Sequence, residues 1–156
     1  MRQAIWAGAA LAVAMAGNAQ GASNDDAPTK TQAAIYQALL TRDAAPDCLA
    51  VDALSPTLAT DLAYVVQHAQ QPAWASLRAA SCLVERHPVE AKRELSDWVT
   101  HAGTRGLAIV VLQHIDAVPA NQGHELAVAA LNGPYAADAR VRLGRSKNPD
   151  LQNLVK

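Results

Sequence analysis

The stretch PAWASLRAASCLVERHPVEAKRELSDWVTHA, residues 72–102, decides the fold class. Over residues 88–102 the apolar side chains Ala91, Leu95, Trp98, Val99 and Ala102 recur at helical spacing, while Glu90, Arg93, Glu94 and Asp97 fall on the other side. That is the one-sided stripe of an amphipathic helix. Residues 73–86 are apolar on most sides, with Trp74, Leu77, Ala79, Ala80, Cys82, Leu83 and Val84, as expected of a helix between two neighbours. Pro72 and Pro88 stand at the two starts, where the missing proline N–H costs little.

Working outward, the same signals recur along the chain. Residues 56–70 place Leu58, Leu62, Val65, Val66 and Ala69 on one stripe. Ser55-Pro56 and Asn148-Pro149 read as an N-cap followed by proline at the first helical position. Gly103 followed by Thr104 reads as a C-cap and then an N-cap. The apolar run Leu107 to Leu112 fits a strand by periodicity, but no partner strand is visible, so it is assigned to a buried helix. Alanine, the best helix former, is the commonest residue and phenylalanine is absent. The expectation is all-α, with eight helices near 31–42, 47–54, 56–70, 73–86, 88–101, 104–116, 122–132 and 135–145, and a last turn from Pro149.

Pro72-Ala-Trp-Ala-Ser-Leu-Arg78 can be laid over Pro134-Tyr-Ala-Ala-Asp-Ala-Arg140, and His87-Pro88 over Asn148-Pro149. Leu83 with Leu112, and Leu95 with Leu126, mark a unit between them. A helical hairpin recurring about every 30 residues is the mark of an α-solenoid. On these residues, over about 72–156, the chain resembles HEAT-like repeat proteins in their short bacterial form. The resemblance implies antiparallel helical hairpins stacked as a short α-solenoid; the alternative is an irregular helical bundle.

The N-terminus reads as an export signal. Arg2 precedes an uncharged apolar stretch from Ala4 to Ala16, and small residues lead into polar Ser23. A charged start, a short apolar core and a small-residue zone make a secretory signal peptide, and the run is well short of the roughly 20 residues needed to span a bilayer. Cleavage is expected after Ala19, Gly21 or Ala22. The division is residues 1–22 as signal, 23–30 as flexible leader and 31–156 as one helical-repeat domain. The location implied is the periplasm or the exterior, with no membrane insertion once the signal is gone.

Removing Arg2 leaves twelve basic residues against fourteen acidic ones, a net charge of −2. Such a balance argues against a general nucleic-acid binder, which carries a basic excess. The two cysteines, Cys48 and Cys82, form an even pair, which in an oxidising compartment suggests a disulfide; the alternative is two buried free thiols.

Chemistry is harder to find. His68, His87, His101, His114 and His124 form no His-Glu-x-x-His pattern, and no metal site is expected. Ser55, Ser76, Ser81, Ser96 and Ser146 lie in no Gly-x-Ser-x-Gly setting. Gly103-Thr-Arg-Gly106 is too short for a phosphate loop. No catalytic residue and no cofactor are assigned. Arg140, Arg142, Arg145 and Lys147 form the only local charge cluster. It reads either as a patch for an acidic partner, since the guanidinium fork suits carboxylates, or as a solvated helix end favoured by the dipole. Trp74 and Trp98 sit on apolar stripes and are assigned to the core.

The function expected from this reading is a protein- or peptide-binding module, a scaffold or adaptor. The alternatives are an immunity or inhibitor protein acting on an exported toxin or enzyme, and a lyase-like enzyme or enzyme subunit, as some HEAT-like proteins are.

Overall fold

The computed structural model describes residues 27–41, 45–69 and 71–156. The expected signal segment, residues 1–22, lies outside these, as do Ser23 to Asp26 of the expected leader. The described residues are helical with no strand. Nine α-helices follow in order: α1 (Lys30–Leu39), α2 (Cys48–Asp52), α3 (Leu58–His68), α4 (Ala73–Arg86), α5 (Lys92–Thr100), α6 (Arg105–Gln113), α7 (Ala120–Leu131), α8 (Ala136–Leu143) and α9 (Pro149–Asn153). A 3-10 turn, Ile115–Ala117, follows α6. The run at 107–112 is helical, inside α6. The all-α expectation holds.

Sequential helices pair as α3 with α4, α5 with α6, and α7 with α8. The second helices of the pairs also pack on one another, α4 on α6 and α6 on α8, while α5 packs on α7. The helices therefore form two rows with a shared core, and α1 closes one end against α3 and α4. Such packing is compatible with a solenoid and with a bundle. Leu62, Leu83, Leu95, Val99, Val111 and Leu143 are fully buried between the rows. Trp98 is in the core, and Trp74 is half-buried.

Local chemistry explains where the helix ends differ from expectation. α1 starts inside the stretch assigned to the leader, because Thr29 and Gln32 form a reciprocal capping box. The Ser55-Pro56 start moves to Leu58. Ser55 Oγ accepts the Thr57 N–H at 3.0 Å and donates to Asp61 Oδ2 at 2.6 Å, so residues 55–57 close a turn instead of the first helical turn. Likewise Pro88 is followed by a turn, and α5 begins only at Lys92. Thr104 precedes α6, but its hydroxyl donates backwards to the Trp98 and His101 carbonyls at 2.7 and 2.6 Å, satisfying the end of α5 rather than the start of α6. Gly103 adopts a left-handed φ of 99°, the C-cap conformation that favours glycine. At Gly133 a side chain would meet the Val99 carbonyl at 2.9 Å, so this glycine lets the α7–α8 link touch α5. Asn148 caps α9 with Pro149 at its first position, as expected.

Cys48 and Cys82 form a disulfide, with Cα atoms 5.2 Å apart. It ties the five-residue α2 to the middle of α4.

Candidate functional site

α8 is the last helix of its row, packed on α6 and α7. Its buried positions are Ala139 and Leu143; its exposed positions include Ala137, Arg140 and Val141, and the turn that follows exposes Gly144 and Arg145. Val141 is 54% exposed, an apolar knob flanked by Arg140 before it and Arg145 one turn later. Arg140, Arg142 and Arg145 make no side-chain hydrogen bond or salt bridge among the described residues. Lys147 is exposed; its backbone N–H donates to Asp116 Oδ2 at 2.9 Å and its charge helps to lower that carboxyl. Arg142 stands half-buried near Asp138, and that carboxylate is already gripped by Arg105 through two hydrogen bonds of 3.0 and 3.1 Å. The Arg105 hydrogen bonds and charge, with a smaller contribution from Arg142, hold the Asp138 carboxyl below its ordinary range.

The four residues of the cluster thus end on one terminal unit, with Arg140 and Arg145 exposed and Arg142 half-buried near Asp138. From Arg140 onward five basic residues stand against one acidic residue, while residues 45–138 carry ten acidic against five basic. The chain is electrically lopsided although its net charge is small. Arg78, aligned with Arg140 in the sequence, does something different: its Nη1 donates to the Leu39 carbonyl at 3.1 Å and secures the end of α1.

Carboxylates elsewhere are mostly committed, and their partners recur. Asp52 at the end of α2 takes Arg86 Nε at 2.9 Å and His87 Nε2 at 3.0 Å. Glu85 at the end of α4 takes His114 Nδ1 at 2.8 Å. Asp116 after α6 takes the Ser146 hydroxyl and the Lys147 N–H. Each acid at the end of one unit holds the end of the next. Burial alone would raise Asp52, but the His87 and Arg86 hydrogen bonds and charges outweigh it and hold its carboxyl below the ordinary 3.8. Asp116 is likewise lowered, its burial outweighed by the Lys147 N–H and the Ser146 hydroxyl. The sequence reading missed these bridges, since residues 29 to 35 apart carry no local pattern. It also missed Asp61, which is buried and accepts from Gln32, Ser55 and Thr57.

Two clefts flank α3. One, of about 330 Å³, is lined by Ala59, Ala63, Tyr64, Gln67, Glu90 and Glu94 among others. The other, of about 500 Å³, lies against α1 and is lined by Gln32, Tyr36, Tyr64, Val65 and His68 among others. Tyr64 is common to both and stacks on His68 at a centroid distance of 3.9 Å. Glu90 has no hydrogen bond or ion pair among the described residues, and the cation nearest Glu94 is Arg93 at 3.9 Å.

The five histidines are dispersed. His68 stacks on Tyr64, His87 and His114 bridge helix ends, His101 lies at the end of α5 with Nδ1 3.1 Å from the Asp97 carbonyl, and His124 is exposed on α7. Among the described residues no three of His, Cys, Asp and Glu come together as a metal-binding set. No described helix is long and apolar enough to cross a membrane. Neither the protein-family models, nor the curated proteins, nor the solved structures contain a match to this chain.

Proposed function

We propose that this protein is an exported binding module of stacked helical hairpins, HEAT-like in its repeat, whose α8 face docks on an acidic surface of a partner protein. The observation that carries the reading is the pair of exposed side chains Arg140 and Arg145, which have no hydrogen-bonded or ion-paired anion among the described residues and lie near the protruding Val141 in the chain, with the half-buried Arg142 between them in sequence. Charged side chains of this kind set partner choice and association rate more than raw affinity, and an arginine fork is suited to carboxylates. An exposed apolar centre with a charged rim is the usual anatomy of a docking patch.

Two further observations support the setting. The Cys48–Cys82 disulfide suits an oxidising compartment such as the periplasm or the exterior. The acid bridges recurring at each row end support a repeated unit. No cofactor is needed for this role. An immunity or inhibitor protein would be the special case of a single tight partner.

Affinity capture from the periplasm with the exported chain tests the reading. Wild type should recover a partner in near-stoichiometric amount, more weakly at high salt, and the Arg140→Ala/Arg142→Ala/Arg145→Ala variant should not. Equal recovery by both chains would overturn the assignment to α8.

A further inference from the structure

We propose that the acidic surface matching α8 is carried by a second copy of this chain, in the cleft between α3 and α5, so that the protein assembles through α8 of one copy and this cleft of the next. The inference rests on α8 being a docking face and names what it docks on. Both halves of the contact are present in one sequence. The α8 half is the exposed Val141 with Arg140 beside it and Arg145 in the turn that follows, together with the small exposed residues Ala137 and Gly144. The other half is a hole of about 330 Å³ with the small side chains of Ala59, Ala63 and Ala91 in its lining and Glu90 and Glu94 at its α5 side.

Charge and residue size therefore correspond: two guanidinium groups beside an apolar knob on one surface, two carboxylates along one wall of an alanine-lined cleft on the other. Small residues on both sides allow the close backbone approach that a helix seated in a groove requires. The competing internal partners are already engaged. Glu85 is held by His114, Glu125 by Lys92 at 2.7 Å and Asp138 by Arg105, which leaves Glu90 and Glu94 as the carboxylates beside a cavity with no close cation of their own except the 85% exposed Arg93. An anionic peptide would be repelled from this cleft, whereas α8 brings the complementary charge.

Because α8 and the cleft are different surfaces, the contact is heterologous. Each copy can give α8 to one neighbour and its cleft to another, so the assembly grows or closes into a ring. The affinity is set by few charges around one apolar residue, so assembly is salt-sensitive and concentration-dependent.

Sedimentation of the purified chain over a range of concentrations tests this. The wild-type average mass should rise with concentration at low salt and return to that of the monomer at about 0.5 M salt, where the screening length is only a few ångströms. Val141→Asp, Glu90→Gln/Glu94→Gln and Arg140→Ala/Arg145→Ala should each associate roughly tenfold more weakly or not at all, with helical circular dichroism unchanged. The sharper test uses charge reversal. Glu90→Lys/Glu94→Lys and Arg140→Glu/Arg145→Glu should each stay monomeric alone, and association should return when they are mixed. A wild-type chain that is monomeric at every concentration, or a glutamine variant that associates as wild type does, overturns the second copy as partner. If the chain is monomeric and the Arg140/Arg142/Arg145 variant still loses a captured acidic protein, only this inference falls. If that variant loses nothing, the docking role of α8 falls with it.

Discussion

The two ends of the molecule are built from the same helix pairs but held by different means. At the N-terminal end, α1 to α4 include the five-residue α2, which buries only Cys48 and Val51. A helix that short has little apolar face and no stability of its own. It is held by the disulfide, by the Asp52 bridges to Arg86 and His87, and by its own cap, Asp47, which accepts the Leu49 and Ala50 N–H groups. At the C-terminal end, α5 to α8 contain no cysteine and are joined by short links. There the rows pack through Leu95, Val99, Val111, Leu126 and Leu143, with polar ties that include Gln122 Nε2 to the Pro88 carbonyl at 2.6 Å, Lys92 to Glu125, Arg105 to Asp138 and the Asp116 bridge to Ser146 and Lys147. Both ends combine burial with acid bridges, but the irregular start adds a covalent clasp. The clasped end contributes α3 to both clefts, while the basic cluster lies wholly at the other end.

That contrast can be broken by experiment. Reducing Cys48–Cys82 should have the largest effect, since the bridge closes a loop of 34 residues, worth about 4 kcal/mol in the chain-entropy model. Denaturant titration of oxidised and reduced protein measures it. Hydrogen exchange should then show protection lost first in α1 to α3 and kept in α6 to α8. Uniform loss would mean that the two ends unfold as one.

Leu95→Ala, at a fully buried site of the C-terminal end, should cost about 3 kcal/mol through lost contacts and a residual cavity. The loss should be the same in oxidised and reduced protein, because the disulfide lies in the other end. Asp61→Ala should cost about 2 kcal/mol by leaving donors from Gln32, Ser55 and Thr57 without their acceptor. That loss should instead depend on whether the disulfide is intact.

The response to acid compares the ends through their bridging carboxylates. Asp52 and Asp116 hold protons more weakly in the folded chain than at the ordinary 3.8. Their stabilisation is therefore whole above that pH and drains away as pH falls below it towards their lowered folded values. Asp52→Asn and Asp116→Asn should each flatten stability against pH between about 5 and 2 in urea titrations. A steeper curve in either variant would contradict the bridges. The smallest effect belongs to Arg140→Ala/Arg145→Ala, which should move the melting temperature hardly at all because exposed side chains with no ion pair among the described residues contribute little to stability.

Helix content was written locally. The stripes of 56–70 and 88–102, the all-round apolarity of 73–86 and the cap at Asn148-Pro149 led to the right elements, because each depends on neighbours within a few residues. Gly103 was legible for the same reason. The misplaced starts at Ser55-Pro56 and Pro88 are failures of local reading against a competing local bond, where a hydroxyl or a turn captured the backbone first. The basic cluster could be seen in the sequence, since its four residues lie within eight positions, but its exposure could not.

By itself, then, the sequence determined the helices, their apolar faces, the pair of cysteines and the concentration of positive charge after Arg140. Only the tertiary structure decided which carboxylates are spent on holding the rows together and which remain open, that Asp61 is buried, that Tyr64 divides two clefts, and that Val141 protrudes rather than packs. Those outcomes depend on side chains about 30 residues apart meeting across helix rows. Packing geometry sets such meetings, and no periodicity within a single helix encodes them.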